Sequence, residues 1–122
     1  MANILIIDDN QSLRTGYATF LQQSGHQAAT ASSVDEAIAY VATNTPDVIL
    51  LDMLLPQKNG LDFLQQYDIV TAHPTVRVIA FSNLTEPQIE ERAKELGVKL
   101  YLKKSAMTPT ELESTINSVL GA

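Results

Sequence analysis

The sequence predicts an α/β fold, a doubly wound sheet of five parallel strands in a (βα)5 pattern, with residues 1–122 forming one domain. Three observations predict it. Short apolar runs rich in β-branched residues recur along the 122 residues, and segments with helical spacing separate them. Polar and charged residues follow the ends of these runs, where parallel sheets of this class bind ligands.

Each element has its own signal. Residues 4–7 (Ile-Leu-Ile-Ile) are an unbroken apolar run, which suits a strand buried on both faces. Leu13, Tyr17, Phe20 and Leu21 follow the i, i+4, i+7, i+8 spacing of a first helix. Gln27–Ala31 reads as a weaker second strand. Ser33 and Glu36 read as a capping box, opening a helix with the stripe Val34, Ala37, Ile38 and Val41. Val48–Leu51 is the third strand, reached through a connection at 43–47. The segment from Leu61 to about Val70 is expected to be one helix after Gly60. A connection at 73–75 leads to the fourth strand, 76–81. Thr85 with Gln88 reads as a second capping box, for a helix carrying Ile89, Ala93 and Leu96. Gly97 sits where that helix end wants a positive φ. Residues 99–102 make the fifth strand. Thr108, Pro109 and Glu111 open the last helix, whose stripe is Leu112, Ile116, Val119 and Leu120. Five strand–helix units in succession argue for helices on both faces and for the flavodoxin-like strand order 2-1-3-4-5.

Composition narrows the function. Eight Lys+Arg against 14 Asp+Glu give a net charge of -6, so the footprint of a nucleic-acid binder is missing and no direct nucleic-acid binding is expected. No polybasic stretch offers a membrane surface a grip, and no apolar run is long enough to span a bilayer. The absence of cysteine excludes disulfides, iron–sulfur clusters and thiolate metal sites. The amino terminus meets Asp8 and Asp9 after four apolar residues, unlike a signal peptide, and a cytoplasmic location is the expectation.

The chemistry collects at the strand ends. The first strand ends in Asp8-Asp9, the third in Asp52, the fourth in Phe81-Ser82-Asn83, and the fifth runs into Lys103-Lys104. In the proposed order the first and third strands are neighbours, which brings three carboxylates together with a hydroxyl and an ammonium nearby. Carboxylates so close repel one another unless a cation lies between them. A hard oxygen set that leaves coordination open suits Mg²⁺ completed by a phosphoryl group. A carboxylate can also serve as nucleophile and form an acyl phosphate. Each residue has a purely structural reading as well: Asp9 as a helix cap, Asp52 and Ser82 as turn residues, the lysines as solvated charges. Met53 and Met107 read as apolar packing, and His26 and His73 as residues of connections. The joint placement of matched groups on four strand ends favours a Mg²⁺-assisted phosphoryl acceptor.

Asp8-Asp9, Asp52, Ser82 and Lys104 resemble the conserved set of the response-regulator receiver domain of two-component signalling. The spacings are the specific part: 43 residues from Asp9 to Asp52, 30 from Asp52 to Ser82 and 52 from Asp52 to Lys104. The stretch from Asp47 through Asp52 and Pro56 to Gly60 is similar to the family's acceptor motif. The resemblance covers the whole chain. It implies that Asp52 accepts a phosphoryl group from a histidine kinase or histidine phosphotransfer protein. It implies a Mg²⁺ site made by Asp9, Asp52 and the backbone carbonyl of Leu54, with Asp8 acting mostly through a metal-bound water. It implies that Lys104 pairs with the phosphoryl group, that Ser82 moves toward it and that Tyr101 turns inward behind it. These changes would bias the surface of the fourth helix, fifth strand and fifth helix toward a downstream protein target. Such a receiver promotes only its own phosphorylation and dephosphorylation. Strand alternation favours Lys104 over Lys103 for the site.

The sequence also departs from the family's pattern. Ser105 follows the lysine where the family usually has a cis proline, so a trans bond or altered loop is expected. Asn83 stands where a small residue is usual and is expected to narrow access to Asp52. Leu54 and Leu84 lie where polar groups are frequent, and slow self-dephosphorylation is expected from that apolar cover. The charge pattern of the dimer-forming transcription-factor branch is absent around Tyr101 and in the last helix, so a monomer or weak dimer is expected. The alternative is a pseudo-receiver, the same fold serving as a phosphorylation-independent interaction module.

Overall fold

A computed structural model describes residues 2–84 and 86–121. The strands are β1 (Asn3–Ile7), β2 (Gln27–Ala31), β3 (Val48–Leu51), β4 (Arg77–Ser82) and β5 (Val98–Lys103). They pair in parallel in the order β2-β1-β3-β4-β5, as the sequence predicts. The helices are α1 (Gln11–Gln23), α2 (Val34–Val41), α3 (Gly60–Gln66), α4 (Ile69–Ala72), α5 (Pro87–Glu95) and α6 (Pro109–Gly121), with a 3-10 turn at Lys104–Ala106.

Alternation along the central strands divides the core in two. Leu5, Ile7, Ile49 and Leu51 face the side covered by α2, α3 and α5, where they meet Val34, Ala37, Phe63, Leu64 and Ala93. Ile4, Ile6, Val48 and Leu50 face α1 and α6, meeting Ala18, Leu21, Leu112 and Ile116. Because both faces are covered, β1 and β3 are apolar at almost every position and show no polar alternation. Met53 is buried in the first cluster, as its packing role predicts, and Met107 is half-buried against the second.

The caps refine the sequence reading. Asn10, not Asp9, caps α1, its side chain accepting the Leu13 N–H at 3.1 Å. Ser33 caps α2 as predicted, but Glu36 turns to the backbone and hydroxyl of Ser32, so the box does not close on Ser33. The Thr108–Glu111 box is complete. Thr85 lies outside the described residues; Glu86 occupies the N-cap of α5, and Pro87 is its first helical residue. Gly97 has φ 104°, the positive value its position required.

The single helix expected from Leu61 to about Val70 is instead two. Tyr67 is extended, with φ -98° and ψ 92°, so α3 ends at Gln66. Asp68 then starts α4 with its side chain on the Thr71 N–H and hydroxyl. The break has a packing cause. It buries the Tyr67 ring, stacked on His73 with centroids 4.1 Å apart, and sends Ile69 into the core. The fourth and fifth helices expected from the sequence are therefore α5 and α6. Among the described residues no helix is long and apolar enough to cross a membrane.

Candidate functional site

Strand register assembles the site. Ile7 pairs with Leu51 across β1 and β3, so Asp8 and Asp52 leave the sheet side by side. Leu51 pairs with Ala80, and Ser82 with Lys103, which carries Ser82 and Lys104 to the same edge. Asp8 and Asp52 are buried and Asp9 is exposed. One carboxylate oxygen from each of the three lies within 4.8 Å of the others.

Asp52 has distinct partners on its two oxygens. Oδ1 accepts the Leu54 backbone N–H at 3.0 Å and the Ser82 hydroxyl at 2.8 Å. Oδ2 accepts the Lys104 ammonium at 2.9 Å. Lys104 also donates to Asp8 Oδ2 at 2.6 Å, with only 10% of its side chain exposed. Burial by itself would lower the Lys104 pKa, but the hydrogen bonds to Asp52 and Asp8 outweigh it and hold the pKa above the ordinary lysine value. Lys103 is exposed, as alternation predicts. Asp8 Oδ1 accepts the Asn10 N–H at 2.9 Å, and Arg14 donates to the Asp8 carbonyl oxygen at 2.8 Å.

Ser82 is fully buried. Its oxygen also accepts the Leu84 N–H, and the Tyr101 hydroxyl donates to the Leu84 carbonyl. Burial pushes the Tyr101 phenol up to about 12, with the charges of Glu90 and Asp52 adding to it. Asn83 accepts the Ser105 N–H at 2.8 Å, and no peptide bond among the described residues is cis. The Lys104–Ser105 bond is therefore trans, as the absence of proline led one to expect.

A cavity of about 300 Å³ opens over these groups, with Leu13, Leu54 and Asn83 on its wall. Leu54 is 64% exposed there, and Leu84 is half-buried. The donor set fits a hard divalent cation: all oxygen, three carboxylates, and two negative charges beyond what Lys104 balances. Open space above it leaves room for further oxygen ligands.

One contributor, Arg14, was not singled out in the sequence, and a second, Gly60, was read there only as part of the acceptor motif. Arg14 carries no local signal; only the turn of α1 brings it to Asp8. Gly60 follows from crowding: a Cβ there would lie 2.6 Å from the Met53 Sδ, 2.8 Å from the Met53 Cα and 3.1 Å from the Asp52 carbonyl oxygen. It lets the start of α3 press against the chain that presents Asp52.

The sequence matches the family model of the response regulator receiver domain over residues 4–117. Protein PilH of Pseudomonas aeruginosa is 30% identical over 120 residues, covering 98% of this chain and 98% of PilH. The response regulator UvrY of Escherichia coli is 31% identical over 121 residues, covering 98% of this chain and 54% of UvrY, so the chain spans about half the length of that relative. The chemotaxis protein CheY4 of Vibrio cholerae has a similar structure, with a TM-score of 0.89 and 28% identity over 98% of this chain and 99% of that one. With strand order, acidic cluster and family match in agreement, the chain belongs to the response regulator receiver domain family of two-component signalling.

Proposed function

We propose that residues 1–122 form one receiver domain that accepts a phosphoryl group on Asp52. The donor is a histidine kinase or a histidine phosphotransfer protein, and the change passes to a downstream protein target. The observation that carries this reading is the partition of Asp52: one oxygen faces Ser82 and a backbone N–H, the other faces Lys104. An Asp52 oxygen forms the new P–O bond as the P–N bond to the donor histidine breaks. The imidazole leaves with the bonding electron pair, and an acyl phosphate results. Mg²⁺, which Asp9, Asp52 and the Leu54 backbone carbonyl would hold, with Asp8 acting mostly through a metal-bound water, would supply positive charge against the phosphoryl oxygens.

The chain's own groups do the rest. Lys104 keeps one positive charge beside the accepting oxygen and pairs with the phosphoryl group. The Ser82 hydroxyl transfers its hydrogen bond from Asp52 to a phosphoryl oxygen. Tyr101, tied to Leu84 two residues past Ser82, carries the shift to the surface of α5, β5 and α6. Leu54 beside the cavity slows the water that would hydrolyse the product. In this reading the domain works in the cytoplasm as a monomer or weak dimer, contacts neither nucleic acid nor membrane itself, and turns over no other substrate.

Intact-protein mass spectrometry after incubation with acetyl phosphate tests the proposal. Wild type with Mg²⁺ is expected to gain a single phosphoryl adduct, absent with a chelator and absent in Asp52→Asn. An adduct that survives in Asp52→Asn would overturn the assignment of the acceptor. A folded wild type that gains no adduct and does not respond to beryllofluoride would favour the pseudo-receiver.

A further inference from the structure

Ser82, Asn83 and Leu84 leave β4 as three consecutive residues, and each is tied to a different part of the molecule. Ser82 donates to Asp52 at the end of β3. The Leu84 carbonyl accepts the Tyr101 hydroxyl from β5. Between them, the Asn83 side-chain carbonyl accepts the backbone N–H of Ser105 at 2.8 Å. Ser105 is the residue after Lys104 and lies in the 3-10 turn Lys104–Ala106. The bond therefore joins the neighbour of the site's hydroxyl to the neighbour of its ammonium. It exists because Ser105 has an N–H to give, which a proline at that position would lack.

We infer that Asn83 is a positioning residue for Lys104: through Ser105 it fixes the backbone from which the lysine reaches Asp52 and Asp8. Lys104 follows the last residue of β5, Lys103, and opens a single 3-10 turn, a connection with little regular hydrogen bonding of its own. Its ammonium must nonetheless sit within 2.6 Å and 2.9 Å of two carboxylates. A side-chain bond from the adjoining loop supplies the missing constraint. The inference rests on the receiver reading, and it opposes the simpler view in which Asn83 only narrows the mouth of the cavity. The two views differ in sign. If Asn83 is a gate, shortening it opens the site; if it positions Lys104, shortening it weakens the site's hold on a phosphoryl group.

The test uses beryllofluoride with Mg²⁺ as the phosphoryl probe, and amide hydrogen exchange at Ser105 in the metal-free protein. Asn83 is exposed, so Asn83→Ala is expected to fold. It should speed exchange of the Ser105 amide and weaken beryllofluoride binding by about three- to tenfold, the range for one lost hydrogen bond. In a Lys104→Ala background the same change should leave binding unaltered, because there is no ammonium left to position. Tighter or unchanged binding by Asn83→Ala would overturn the inference, as would unchanged exchange at Ser105. So would an equal weakening with and without Lys104. Wild type that binds no beryllofluoride would instead overturn the receiver reading, and the positioning role with it.

Discussion

Single residues at this site carry constraints that their neighbours impose. Gly60 needs the absence of a side chain, since its missing Cβ would meet backbone on Met53 and Asp52. Gly60→Ala is expected to lower stability by about 1–3 kcal/mol, the usual cost of overpacking. Urea denaturation checks this, and an unchanged midpoint would sink it. Tyr101 makes the second prediction. Its phenol is raised to about 12, so it contributes stability that is complete below the ordinary tyrosine value of 10.0 and is lost as pH rises through about 12. Alkaline titration of tyrosinate absorbance should show a late-ionising group that vanishes in Tyr101→Phe. A variant whose curve keeps that late phase would assign it to Tyr17 or Tyr67, whose phenols burial also raises.

At the scale of elements, the helices are started by side chains more than by apolar pattern. The Thr108–Glu111 box at the head of α6 is the clearest case. The Thr108 backbone N–H and its hydroxyl hold the Glu111 carboxyl below its ordinary value of 4.5. A depressed carboxyl stabilises the fold above its unfolded pKa and loses that contribution as pH falls through the folded one. Wild type and Glu111→Gln should therefore differ in thermal midpoint at about pH 6 and converge toward about pH 3. A gap that stays constant over that range would refute the box as its source. The split between α3 and α4 belongs to the same scale. Residues 61–70 have enough apolar positions for one helix, but the chain buries the Tyr67 ring and restarts at Asp68. Nothing local to the sequence announces that choice, because stacking on His73 is decided by where the next loop runs.

Across the whole molecule, charge and fold are coupled at the site. The chain carries a net charge of -6, and two of its acids are buried beside one lysine. Breaking a buried ion pair by removing one partner costs about 3–5 kcal/mol. Lys104→Ala without metal should fall near that range, and Mg²⁺ should recover part of the loss by replacing the missing positive charge. Binding to the folded state alone adds about 2.7 kcal/mol at a hundredfold excess over Kd. Thermal denaturation with and without Mg²⁺ checks both, and a Lys104→Ala protein indifferent to Mg²⁺ would contradict the metal site.

The strands, their order and the groups at their ends were legible in the sequence. Buried parallel strands must be apolar along their length, and strand–helix alternation leaves few topologies. The sequence also singled out Asn83 and Ser105, each as a separate departure from the family's pattern. Only the tertiary structure joined those two. It likewise gave the α1 cap to Asn10, brought Arg14 to Asp8, closed one capping box and left another open, and divided one helix into two. The reason is one of range. Periodicity and spacing are local properties of the chain, whereas a hydrogen bond between loops 22 residues apart exists only after both strands have found their register.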